Sequence, residues 1–128
     1  MRISAWLSLL LVGAGGWGGG HPEAEVRGGI VYVGTVPRWP EAGGGQHITT
    51  PLVWSGRGDA VAFAARDGRG SARLVVLLVE ADGSVTPLEW PIPRAAQPAR
   101  AVTWLGPTRV GTGPSALEPR ATASWIAR

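Results

Sequence analysis

Two histidines, nine acidic residues and no cysteine are the chain's stock of acid–base, metal-ligating and thiol groups. His21 and His47 are separated by glycine-rich sequence, and His47 has Gln46 rather than a carboxylate beside it, so neither forms a metal-ligand pattern. No GxSxG elbow, phosphate-cradling Walker pattern or HExxH helix occurs. Asp59, Asp67 and Asp82 each stand next to a glycine, where a side chain that bonds its own backbone makes a turn. Glycoside hydrolysis needs two carboxylates at a set separation across a sugar-binding cleft, for which a chain of this size leaves little room. The expectation is a protein that is not an enzyme, with no catalytic residue, metal site or cofactor. Arg57-Gly58-Asp59 spells a tripeptide associated with integrin-binding proteins. A three-residue match is weak, and turn formation by Gly58 and Asp59, with Arg57 as a solvated neighbour, is the preferred reading.

The tryptophans are the other residues able to build a site. Five of the seven remain if an N-terminal segment containing Trp6 and Trp17 is removed, and a small domain rarely buries that many fully. Trp39 and Trp90 precede Pro40 and Pro91, where aromatic and proline faces together suit a glycan or a peptide. They are therefore the candidate ligand or partner surface; the other reading has them capping the open ends of the core. Trp54 and Trp104 read as core.

All 12 basic residues are arginine, and Lys and Asn are absent, a skew that a G+C-rich coding sequence produces. The formal charge is only +3 and the arginines are scattered along the chain, without the basic, aromatic-interleaved stripe of a nucleic-acid-binding protein. No nucleic acid partner is expected. Lacking cysteine, the chain has no disulfide framework, so packing must stabilise it.

Elements must position these residues. Residues 1–20 begin with Met1 and Arg2, continue through an apolar run over 3–12 and end in small residues, which is the order of a signal peptide, with Val12 and Ala14 suiting cleavage after Ala14. The run is short for a membrane span, so membrane contact is expected only if the segment stays uncleaved. The destination is extracytoplasmic, either periplasmic or secreted. Residues 21–128 then form one small β domain with a flexible lead-in over 17–25.

Within that domain, 29–36 (GIVYVGTV) reads as the first strand, followed by a loop around Trp39. Residues 48–54 and 60–65 read as a hairpin across Ser55-Gly56-Arg57-Gly58-Asp59, and 72–80, with its LVVLLV run, as the core strand. Asp82-Gly83 turns the chain into a strand over 85–90; shorter strands follow over 100–104, 109–112 and 121–127. No helical stripe with a convincing cap is present beyond the signal segment. The fold class is all-β: a small antiparallel meander or sandwich, preceded by the signal-peptide helix.

PLVWSGRGDAVAF (51–63) set beside AVTWLGPTRVGTG (101–113) shows Trp54 and Trp104 preceding Gly56 and Gly106, with Val61 and Val110 following, and the tryptophan interval is near the length of a propeller blade. Pro51, Trp54, Ser55, Gly58 and Phe63, continued by LVVLLVEADGSVTPL (74–88), resemble the TolB-type β-propeller repeat. In that family proline-aspartate follows the tryptophan-serine pair; here Gly56-Arg57 stands instead. The resemblance implies one to two blades with a repeat core of Trp54, Phe63 and Trp104. One full repeat and two fragments are too few to close a propeller. An incomplete array leaves strand edges, and the expected role is an exported, non-catalytic module acting through protein partners or self-association at those edges. The alternatives are a carbohydrate- or cell-wall-binding protein using exposed tryptophans, and a fragmentary repeat without independent activity.

Overall fold

The structure, a computed structural model, describes residues 22–40 and 46–126. The signal-peptide segment with Ala14, and His21, lie outside them. The described residues form eleven strands: β1 (Ala24–Arg27), β2 (Ile30–Val33), β3 (Val36–Trp39), β4 (His47–Ile48), β5 (Val53–Trp54), β6 (Ala60–Arg66), β7 (Ala72–Val79), β8 (Val85–Pro91), β9 (Ala101–Gly106), β10 (Arg109–Gly113) and β11 (Ala121–Ser124). One 3-10 turn, Arg94–Ala96, lies between β8 and β9.

Three antiparallel sheets result. An N-terminal sheet has the order β1-β2-β3, a central sheet runs β4-β6-β7-β8 with β5 also paired to β6, and a C-terminal sheet has the order β11-β10-β9. The all-β antiparallel class is as the sequence implies, and the three sheets stack face to face. Successive side chains of a strand point to opposite faces. Ala60, Ala62, Ala64, Leu74 and Val76 accordingly meet Val102, Val110 and Ala123 of the C-terminal sheet. Val61, Phe63, Ala65, Val75 and Leu77 meet Val31, Val33 and Trp39 of the N-terminal sheet. The central sheet is thus covered on both sides, which is why its strands read as unbroken apolar runs.

Several elements depart from the sequence reading. The lead-in expected to lack structure contains β1, whose residues are half-buried or exposed and so carry no apolar alternation. The first strand breaks at Gly34, which takes φ 67 and lets the chain reverse into β3. Trp39 therefore ends a strand instead of sitting mid-loop. The strand expected over 48–54 is two short pieces. Between them the Thr50 hydroxyl, buried, accepts the Ala64 backbone N–H at 2.9 Å, while the Thr49 N–H donates to the Ala64 carbonyl. A side chain thus replaces one rung of the ladder where Pro51 follows. Thr50→Val keeps the shape and removes the acceptor, leaving a buried N–H unpaired; about 1–3 kcal/mol of stability should be lost, read as a lower urea midpoint with unchanged slope.

The outer face of the N-terminal sheet is polar, and that of the C-terminal sheet is crossed by a loop. On the N-terminal sheet, the Arg27 guanidinium lies 4.0 Å over the Tyr32 ring and pairs with Glu25 at 3.1 Å. On the C-terminal sheet, residues 114–120 fold back across the face. Gly111 and Gly113 permit this: a Cβ on Gly111 would stand 2.7 Å from the Pro119 Cβ, and one on Gly113 would stand 2.7 Å from the Glu118 carbonyl oxygen. The Thr103 hydroxyl donates to the Ala116 carbonyl at 3.1 Å and holds the loop down. Polar or self-covered outer faces are what end a stack of repeats. Strand edges, rather than sheet faces, remain open.

Candidate functional site: the open edge of the last sheet

The residues singled out in the sequence are mostly structural. Trp39 is 2% exposed; its indole N–H donates to Glu89 Oε2 at 3.1 Å, and its ring meets Phe63 edge-on at 5.1 Å between centroids. Its ring offers a ligand no open face. Trp90 is half-buried, 5.8 Å from Trp125, which in turn packs edge-on against Trp104 at 5.8 Å. This trio sits against Ala60, Ala62 and Ala64, whose small side chains leave room for indoles. Of the five tryptophans among the described residues, none is in the exposed class.

Trp54 and Trp104 occupy matching places. Trp54 pairs across the ladder with Val61, and Trp104 with Val110. Each tryptophan packs toward the preceding sheet, and the Trp104 indole N–H donates to the Val53 carbonyl at 2.9 Å. Thus β9, β10 and β11 hold the positions that β5, β6 and β7 hold in the central sheet. Phe63, on the ladder opposite Val75, is fully buried.

The turn residues do what turn residues do. In the Arg57-Gly58-Asp59 turn, Gly58 has φ 74, and the Ser55 hydroxyl donates to Asp59 Oδ1 at 2.8 Å. Asp67 accepts the backbone N–H groups of Ser71 and Arg69, and Asp82 accepts the Ser84 hydroxyl and N–H; these bonds hold both carboxyls below their ordinary range. His47 opens β4 at the surface. Among the described residues, no group of three or more His, Cys, Asp or Glu is placed to hold a metal ion.

What sequence reasoning missed is the contrast between the edges. In β8 the Ile92 N–H donates inward to the Ala72 carbonyl, which fixes the ladder's phase and points the amides of odd-numbered residues outward. Two of those outward positions are Pro87 and Pro91, which have no N–H to offer. The β3 edge carries Pro37, and the β1 edge carries Glu25 and Arg27. Proline and charge are the usual protections of an exposed edge. The sequence of β11, Ala-Thr-Ala-Ser, has neither. β9 also lacks both, yet only β11 runs on directly to a fully exposed aliphatic, Ile126. Ile126 and Leu117, the latter in the loop over the outer face, are each 92% exposed, while the next most exposed large apolar side chain among the described residues, Leu105, is at 43%. Leu105 belongs to the same sheet. Beyond the end of β11, a groove of about 390 Å³ is lined by Arg57, Asp59, Leu78, Thr108, Trp125 and Ile126.

The central sheet has β8 on the far side of β7, whereas no described strand lies on the side of β11 away from β10. Comparison with family models, with curated proteins and with solved structures gives no match.

Proposed function

We propose that this chain is a non-catalytic β module that works outside the cytoplasm by protein contact, pairing the edge of β11 with an extended strand of a second copy or of a partner. The carrying observation is the β11 edge, which has no proline or charge within Ala121–Ser124 and runs on to the fully exposed Ile126. An incoming strand would take the place beside β11 that β8 takes beside β7, gaining backbone hydrogen bonds along the edge while Ile126 leaves water. In a symmetric pair of copies the small, uncharged residues of β11 face each other without like-charge conflict. Four edge residues and one aliphatic anchor make a small interface, so self-association belongs at the weak end.

The chain's relation to TolB-type repeats remains part of this proposal, supported by the matching Trp54–Val61 and Trp104–Val110 pairs. Extracytoplasmic location rests on the signal-like order of residues 1–20. Half-buried and buried tryptophans favour protein contact over sugar stacking. Light scattering across a concentration series reads the proposal: a mass rising toward twice the monomer supports it. A strict monomer at the highest concentration that also captures no extended peptide from a randomised library would refute it.

A further inference from the structure

The arginines that are scattered in sequence are not all scattered in space. At the end of the stack away from the Asp59 turn, Arg66 and Arg69 of the β6–β7 turn and Arg94 of the 3-10 turn line one open cleft of about 720 Å³. Gly70, Ser71, Gln97 and Pro98 complete its polar and backbone lining, and no acidic residue lines it. The ion pairs formed among the described residues involve Arg27, Arg73 and Arg120, and none involves these three. One carboxylate, Asp67 between Arg66 and Arg69, offsets part of their charge, which leaves the three guanidiniums in excess. Asp67 is held by the Ser71 and Arg69 backbone N–H groups, and Glu89 by Arg73 and the Trp39 indole. The Gln97 amide donates to the Ile92 carbonyl at 3.0 Å, which fixes the wall on which Arg94 stands.

Three guanidiniums around one concavity repel one another unless an anion joins them, and the planar fork of arginine fits phosphoryl oxygens two at a time. With Asp67 offsetting one of the three charges, a monocarboxylate would still leave one uncompensated. A group with several negative charges matches the set, and the cleft volume is in the range of small-ligand sites. We propose that the Arg66–Arg69–Arg94 cleft binds a ligand bearing multiply charged phosphoryl groups. The site is independent of the β11 edge, and its ligand chemistry does not depend on the protein-contact reading.

The test is calorimetric titration of the full chain with orthophosphate and with tripolyphosphate at low ionic strength, alongside co-sedimentation with vesicles containing phosphatidylglycerol. Tripolyphosphate should bind more tightly than orthophosphate, and each of Arg66→Gln, Arg69→Gln and Arg94→Gln should weaken it roughly fivefold, with added salt weakening it further. All three side chains are exposed, so the variants should keep the wild-type circular dichroism and melting curve. Binding in solution without vesicle binding identifies a soluble phosphorylated ligand. Vesicle binding that the same variants abolish identifies a lipid headgroup. No binding of either probe, or binding that all three variants leave unchanged, overturns the proposal.

Discussion

Phe63→Ala should cost the domain about 3–5 kcal/mol, enough to remove most of the stability that a chain of this size usually has. Phe63 is fully buried between the N-terminal and central sheets, in edge contact with Trp39 and in one cluster with Val31, Val75 and Leu77. Truncation to alanine removes the ring's burial and leaves a cavity that β-sheets on both sides cannot readily collapse. Because Trp39 loses its ring contact, its fluorescence should shift with the same mutation. Urea unfolding followed by circular dichroism and fluorescence measures both. A loss below about 1 kcal/mol would mean that the two sheets do not share this core.

Leu117→Asp combined with Ile126→Asp should weaken association by at least about tenfold without lowering the monomer's stability. Each of these side chains is almost fully exposed, so the fold gains little from it, whereas covering a leucine or isoleucine at an interface is worth about 1.5–3 kcal/mol. Ile126→Asp also places negative charge just past the end of β11, which opposes the charge-free self-pairing of that strand, and Leu117→Asp tests the loop over the neighbouring face. Analytical ultracentrifugation of both proteins, with thermal melts as control, separates the effects. Unchanged association would place the contact elsewhere, and β9 with Leu105 would be the next surface to change.

Much of the architecture was legible because local signals were strong where the chain is doubly buried or sharply turned. The LVVLLV run marks β7, Asp82-Gly83 marks the turn into β8, and the alanine-rich strand with Phe63 marks β6. Three features were not legible, each for a physical reason. β1 is a mostly exposed strand and so shows no apolar alternation. Thr50 looks like any loop threonine until its hydroxyl is seen to take the Ala64 N–H, a contact between residues far apart in sequence. Nothing local says that Gly111 and Gly113 are needed because residues 114–120 must pass over them.

The candidate site was less legible still. Trp39 and Trp90 drew attention as an aromatic-proline surface, but a tryptophan beside a proline has the same sequence whether its ring faces water or a neighbouring sheet; here Trp39 faces Phe63 and Trp90 faces Trp125. The general expectation of strand-edge contact came from the short array. Which edge is open depends on the pairing partners of each strand, on the phase of Pro87 and Pro91, and on the exposure of Leu117 and Ile126. None of these is a local property. The arginine cleft is invisible for the same reason, since the β6–β7 turn and the 3-10 turn meet only through the fold.

Amide hydrogen exchange across residues 121–124, followed from low to high protein concentration, addresses the β11 edge most directly. Protection of the outward-facing Thr122 and Ser124 amides, and of Ile126 beside them, should rise with concentration while the β8 amides stay constant, and the Leu117→Asp, Ile126→Asp variant should abolish the rise. Protection of β11 that is the same at every concentration, in a protein whose mass does change, would contradict the proposed edge.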